Sequence, residues 1–237
     1  MKLYMVSLGP GDYELITIKA LRALKNSDAI CVPTKSPDHS FNRAMTHKII
    51  QKLMEEFDFV KPIIPMYTPM NFKTEDWQYQ VDTIHKSFQE YKTLSFVTLG
   101  DSAVYSTVYY LLDLIKEQNH IVYENSEVIP GVTSFSNASA KVKKPLCVGD
   151  GSFSIVPLHK ENVVNTTVFM RPKIGMQTNN IPQKGTIYTF ENLNFRGETI
   201  HKNKKEEASQ NEGAKIEQVH NNSEYRLQKM TEEIELN

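Results

Sequence analysis

The sequence predicts an α/β protein whose first half carries a parallel sheet. Three observations predict it. Apolar runs alternate with amphipathic stretches from Leu3 to Ile129. The amphipathic stretches repeat their apolar residues at helical spacing. The first apolar run ends in Gly9-Pro10-Gly11-Asp12. That turn leads from a strand to a helix, and its backbone can approach a ligand closely. Strands that alternate with helices argue for a parallel sheet covered on both faces.

Strands are expected at Leu3–Leu8, Ala29–Pro33, Lys61–Met66, Leu94–Leu99 and Ile121–Ile129. Helices are expected between them, at Glu14–Asn26, Phe41–Phe57, Glu75–Tyr91 and Ala103–Gln118. The first of these carries Leu15, Ile18, Leu21 and Leu24; the second, Ile49, Ile50, Leu53 and Met54; the fourth, Tyr110, Leu111, Leu114 and Ile115. After Glu124-Asn125-Ser126 the texture changes. Strand signals come closer together, at Phe153–Leu158, Thr166–Met170 and Thr186–Phe190, with one helix at Thr133–Val142. The domain boundary is therefore placed near Asn125, which gives lobes 1–125 and 126–237. From Asn203 to Asn222 the chain is rich in Lys, Glu, Gln and Asn and reads as a solvated tail. Ser223–Leu236, with Tyr225, Leu227, Met230 and Ile234, reads as a closing helix or a frayed end.

Composition narrows the classes of function. The 237 residues are 40% hydrophobic and 23% charged, an ordinary soluble balance. A formal net charge of -1 supplies no basic field, so nucleic acid is not expected as a partner. No apolar run approaches the roughly 18 residues of a membrane span, and the start lacks the basic-then-apolar pattern of a signal peptide. Cys31 and Cys147 sit among apolar neighbours and read as buried reduced thiols, which suits the cytoplasm. Neither has a histidine at zinc-ligand spacing, and His39, His47 and His85 show no diagnostic spacing, so no metal is assigned.

Three further motifs follow strand signals. Thr98-Leu99-Gly100-Asp101-Ser102-Ala103-Val104-Tyr105-Ser106-Thr107 closes the fourth strand. Gly100 permits close backbone approach, and Asp101 either caps a helix or binds a ligand hydroxyl or cation. In Ile129-Pro130-Gly131-Val132-Thr133-Ser134-Phe135 a strand stops, turns and enters a helix. The hydroxyls of Thr133 and Ser134 either cap that helix or face a ligand. Val168-Phe169-Met170-Arg171-Pro172 ends a strand in a flexible thioether, which either packs in the core or lines an adenine pocket.

These four elements, in this order and spacing, resemble the tetrapyrrole methyltransferases that use S-adenosyl-L-methionine. That family reads Gly-x-Gly-Pro-Gly-Asp near its start, then Gly-Asp-Pro, then Pro-Gly-Val/Ile-Thr/Ser, then a strand ending in Met. The resemblance runs from Met1 to Met170 and more loosely to Glu198. Within the family, Tyr105-Ser106-Thr107, Pro130 to Ser136 and Cys31-Val32-Pro33-Thr34 look most like the precorrin-2 C-20 methyltransferases of corrin synthesis.

The resemblance implies a two-lobed α/β enzyme, a homodimer, with a mainly parallel sheet in the first lobe and a mixed sheet in the second. It implies that Leu99, Gly100, Asp101, Val104, Thr133, Ser134, Met170, Glu191, Asn192 and Leu193 contact the methyl donor. It turns Gly9, Pro10, Gly11 and Asp12 toward a tetrapyrrole substrate. Asp12 is the first candidate for a catalytic, substrate-facing role and Tyr105 the second; capping or core packing is the plain alternative for each. Lys35, His39, Arg43 and Arg171 are candidate partners for the substrate's carboxylates.

The chain also departs from the family. Ser7 stands at the family's earlier glycine, and Ser102 at the proline after Gly-Asp. Between Arg171 and Gly185, where the family has a full helix, Pro172, Gly175, Pro182 and Gly185 leave little room for one. A shortened second lobe is expected. Three readings result: methylation of carbon 20 of precorrin-2 or its cobalt form; the same fold on another corrin position, a diphthamide precursor or ribosomal RNA; or a non-catalytic binding or dimerisation protein.

Overall fold

The computed structural model describes residues 1–42, 44–69, 73–149, 151–155, 166–170, 185–191, 199–205 and 230–234. The chain divides into two compact units, Met1–Phe153 and Ser154–Asn237.

In the first unit, β1 (Lys2–Ser7), β2 (Ala29–Thr34), β3 (Ile63–Tyr67), β4 (Thr93–Thr98) and β5 (Ser126–Ile129) form one sheet. Its order is β3-β2-β4-β1-β5 and every pairing is parallel. Helices α1 (Ile18–Asn26) and α2 (Met45–Glu56) cover one face, α3 (Thr74–Ser87), α4 (Val108–Gln118) and α5 (His120–Glu124) the other. Alternation along β1 feeds both layers. Leu3 and Met5 pack with Val81, Ile84, Leu111 and Ile115, while Val6 packs with Ala20, Leu24, Ile50 and Leu53. The parallel sheet expected from the sequence is thus present, and it is buried on both sides.

The strand order places the site. From β1 the chain moves through α1 to β2, toward one edge of the sheet; from β4 it moves through α4 to β5, toward the other. The connections leave β1 and β4 over opposite faces, and in open parallel sheets ligands collect at the carboxyl ends of two such neighbours.

Several elements differ in extent from the sequence reading, for local reasons. The helix expected from Glu14 is split. Asp12 accepts a hydrogen bond from the Glu14 amide at 3.1 Å and caps a single 3-10 turn, Tyr13–Leu15, before Thr17 caps α1 through the Ala20 amide at 3.1 Å. Helix α4 begins at Val108 rather than Ala103, after a loop in which Tyr105 takes the left-handed backbone region, φ 51°. The strand expected over Ile121–Ile129 begins as α5, because Asn119 Oδ1 accepts the Val122 amide at 3.2 Å and starts a helical turn. Only Ser126–Ile129 is strand, and it pairs with β1 from Leu3↔Ser126 to Val6↔Ile129. That pairing carries the chain past Asn125 within the first unit, so the compact unit ends at Phe153 and not near Asn125. Cys31 is buried as expected, and burial pushes its thiol up to about 12. Cys147 is exposed, because its apolar neighbours Leu146 and Val148 are themselves exposed.

In the second unit, β6 (Thr166–Met170), β7 (Gly185–Glu191), β8 (Thr199–Lys205) and β9 (Met230–Ile234) form a sheet of order β6-β9-β7-β8. Its three pairings are antiparallel, where a mixed sheet is expected. The short link between β7 and β8 suits a hairpin and not the crossover of a dozen or more residues that parallel strands need. The closing segment is neither helix nor frayed end over Met230–Ile234: it is the strand between β6 and β7. Phe153–Ile155 forms no strand, and the rest of that expected strand, 156–158, lies outside the described residues. So does 171–184, the stretch in which the second lobe is expected to be shortened. No helix among the described residues is long and apolar enough to cross a membrane.

Candidate active site

The loops after β1, β4 and β5 meet at the carboxyl edge of the parallel sheet. Leu8 continues the ladder, its amide donating to Thr98 O at 2.9 Å. Gly9 and Gly100 then form an isolated antiparallel bridge, with Gly9 N to Gly100 O at 3.1 Å and Gly100 N to Gly9 O at 2.7 Å. Gly131, after β5, lies against both. A Cβ built on it would stand 2.7 Å from Ser7 Cβ, 2.8 Å from Gly100 O and 3.4 Å from Gly9 N. Real Cβ atoms do not approach that closely, so the three loops touch only because residue 131 has no side chain.

Asp101 ties the loops together electrostatically. Its Oδ1 accepts the amides of Ala103 at 3.3 Å and Gly131 at 3.4 Å. It therefore caps its own turn, where the sequence leaves a helix cap or a ligand contact open, and in addition it reaches across to the third loop. Oδ2 takes no donor among the described residues and can accept one from a ligand. Beside it, Gly100 holds φ +77° and has no heavy atom within 4 Å of its Cβ position. The glycine there serves backbone conformation and leaves open space on its outer side. Leu99 is exposed and Val104 half-buried, so an apolar surface flanks the carboxylate.

Thr133 caps α6 (Ser134–Val142), its Oγ1 3.3 Å from the Ser136 amide and 2.8 Å from Ser136 Oγ. Ser134, the first helical residue, is exposed. Both follow Gly131 directly, at the same edge as Asp101. Asp12 is exposed and spends Oδ1 on the Glu14 amide. The Tyr105 side chain is 69% exposed, so core packing is not its role. Lys35 is exposed and His39 half-buried on the loop after β2; His39 stacks on Tyr67 with centroids 6.5 Å apart. Met170 and Glu191 end β6 and β7 in the second unit, paired in register with Met230 and Thr199. Asn192, Leu193, Arg43 and Arg171 lie outside the described residues.

No cluster of three or more metal-ligating side chains occurs among the described residues. A shallow hollow lined by Tyr109, Leu112, Asp113 and Tyr123 lies beside α5 and Ser126, at the amino end of β5 and remote from these loops.

One structural residue escaped the sequence reading as a contributor. Ser7, completely buried at the end of β1, accepts the Ser102 amide on its Oγ at 2.9 Å. The signal for it was present: serines stand at both positions where the chain leaves the family pattern.

Comparison with known proteins shows the family. The family model for Tetrapyrrole (Corrin/Porphyrin) Methylases matches residues 2–178. A protein of Methanocaldococcus jannaschii named "Probable cobalt-precorrin-2 C(20)-methyltransferase" is 28% identical over 177 residues, 73% of this chain and 73% of its own length. The cobalt-precorrin-2 C(20)-methyltransferase of Salmonella typhimurium is 30% identical over 158 residues, 65% of this chain and 62% of its own, just under two thirds. Among solved structures, a cobalamin synthesis related protein from Corynebacterium diphtheriae superposes with a TM-score of 0.51 at 14% identity, covering 85% of this chain and 84% of that one, a likeness of fold.

Proposed function

Because the chain belongs to the Tetrapyrrole (Corrin/Porphyrin) Methylases, we propose that it transfers a methyl group from S-adenosylmethionine to carbon 20 of precorrin-2 or its cobalt form, in the making of the corrin ring. The observation that carries this reading is the convergence of the Gly9, Gly100–Asp101 and Gly131 turns at one sheet edge. The choice of carbon 20 is supported by two relatives of that name, at 28% and 30% identity.

The residues present fit a sulfonium nucleoside. Such a ligand offers an ammonium group and ribose hydroxyls as donors, and Asp101 Oδ2 is an acceptor without a protein partner among the described residues. The space outside Gly100 admits close approach of a ligand to the backbone, and Leu99 and Val104 offer apolar cover. When bound, S-adenosylmethionine supplies a methyl group already activated by positive sulfur.

The task left to the chain is orientation and exclusion of water. Holding two reactants in line lowers a barrier by about 7 to 11 kcal/mol in favourable cases. Asp101 is suited to orienting because two backbone amides fix its Oδ1, so its free oxygen has a defined place. In this reading Leu99, Gly100, Asp101, Val104, Thr133 and Ser134 hold the donor, and Gly9–Asp12 face the tetrapyrrole, with Asp12 and Tyr105 the substrate-facing polar groups. Met170 and Glu191 are carried from the family resemblance, as is the homodimer; the cytoplasmic location rests on the two free cysteines, Cys31 and Cys147.

Two measurements test this. Calorimetric titration with S-adenosylhomocysteine is expected to show binding, weakened by Asp101→Ala and by Met170→Ala; a parent chain that takes none would favour a non-catalytic protein that kept the fold. Incubation with precorrin-2 and a donor labelled in its methyl is expected to add one methyl mass. Transfer only to another acceptor would reject carbon 20.

A further inference from the structure

Ser7 and Ser102 are two departures from the family pattern described above, which reads glycine and proline at these places. The structure joins them in one hydrogen bond, Ser102 N to Ser7 Oγ, 2.9 Å long, between residues 95 apart in the chain. Both are buried, at 0% and 2% exposure. A proline at 102 has no N–H, and a glycine at 7 has no hydroxyl. Putting serine at 102 creates a buried backbone donor, and such groups are almost always paired in native proteins. Serine at 7 supplies the acceptor.

We propose that Ser7 and Ser102 act as one coupled positioning pair, whose hydrogen bond takes the place of the proline ring in fixing the loop that carries Asp101. Three anchors then hold that loop: the Gly9–Gly100 bridge, the Asp101 carboxylate on the Gly131 amide, and Ser7 on Ser102. Ser7 also packs over Gly131, its Cβ 2.7 Å from the point where a residue 131 side chain would start. It thus touches the loops after β4 and β5 while sitting on β1. The consequence for binding rests on the reading of these loops as the donor site: loosening one anchor spreads the Asp101 loop over several arrangements, and affinity falls with the fraction that remains competent.

The test uses the full chain with Ser7→Ala, Ser7→Gly, Ser102→Pro and Ser7→Gly/Ser102→Pro. Three quantities are read: amide hydrogen exchange at Ser102, thermal midpoint, and S-adenosylhomocysteine affinity well below the melting temperature. Ser7→Ala is expected to speed exchange at Ser102 by tenfold or more and to weaken S-adenosylhomocysteine by about tenfold, the scale of one orphaned buried donor. The double variant, with neither donor nor acceptor, is expected to return affinity to within about threefold of the parent. A cycle in which the two substitutions simply add would overturn the coupling, as would unchanged exchange at Ser102 in Ser7→Ala. A lowered midpoint with unchanged affinity would reduce the pair to a structural contact and overturn the positioning role. If Ser7→Ala does not fold, Ser7→Gly against the double variant decides the matter alone. A parent chain that binds no S-adenosylhomocysteine would sink the functional reading, and the exchange and melting data would still decide the coupling.

Discussion

Gly131→Ala probes the meeting point of the three loops. The added methyl would lie 2.7 Å from Ser7 Cβ and 2.8 Å from Gly100 O. Neither neighbour is the far end of a flexible chain. One is the first atom of a buried side chain, the other a backbone oxygen in the Gly9–Gly100 bridge. Relief must come from moving backbone. Overpacking of this kind costs about 1–3 kcal/mol, and in a unit of this size each kcal/mol lowers the melting temperature by about 2–4 °C. The expected fall is therefore roughly 2–12 °C, with weakened S-adenosylhomocysteine binding, since the Asp101–Gly131 hydrogen bond must lengthen or break. Gly100→Ala is the control for the melting temperature alone, since a methyl there enters the space read as the donor's. It meets open space, so its cost is only the strain of φ +77°, about 1–2 kcal/mol. Scanning calorimetry and titration of both variants check the account. An unchanged melting temperature and affinity in Gly131→Ala would show that the loops are not in contact, and the site built on them would be lost.

Asp101→Asn keeps an acceptor for the Gly131 amide but removes the charge, so it should weaken S-adenosylhomocysteine while leaving the melting temperature within a few degrees; calorimetry on parent and variant decides. Thr17→Ala removes the cap on α1 and should cost about 1 kcal/mol in a urea melt; no change in midpoint would show the cap to be idle. Asp28 accepts the amides of Thr93 and Lys92, which hold its carboxyl below the ordinary value of 3.8. The unfolded chain binds this proton first as pH drops, so the advantage of the parent over Asp28→Asn should be full at pH 6 and shrink as pH falls below about 4, by thermal melts across that range. A constant difference would refute the assignment. Burial lowers the pKa of His85 below 6.5, and its Nε2 is buried without a partner among the described residues. The unfolded state takes up a proton that the folded state resists, so stability should fall as pH drops below about 6.5, and His85→Gln should lose less than the parent between pH 7.5 and 5.5 in urea. Equal losses would refute it.

Much of the fold could be read locally. Thr166–Met170 is a strand over the residues expected, α2 lies inside Phe41–Phe57, whose apolar residues recur at helical spacing, and α3 starts one residue before the expected Glu75–Tyr91 and ends at Ser87. The misreading at Ile121–Ile129 has a specific cause. Ile121, Val122 and Tyr123 have strand-like side chains, and the Asn119 cap outweighs them over one helical turn. The closing strand β9 was illegible for another reason: Met230–Ile234 has little apolar pattern of its own and becomes a strand by pairing on both sides with β6 and β7.

The candidate site divides in the same way. Gly9, Gly100, Asp101, Gly131 and Thr133 were recognisable because what marks each is local: positive φ at Gly9 and Gly100, a turn cap at Asp101, a Pro-Gly after a strand at Gly131 and a helix cap at Thr133. Which turns are neighbours was decided by the sheet. β1 lies between β4 and β5, strands about 90 and 120 residues further on, and strand order at that separation depends on which faces bury together rather than on any short motif. The Ser7–Ser102 bond shows the division within single residues. Their identity made them conspicuous, but only the parallel pairing of β1 with β4 set a buried hydroxyl against a buried amide and gave each serine its purpose.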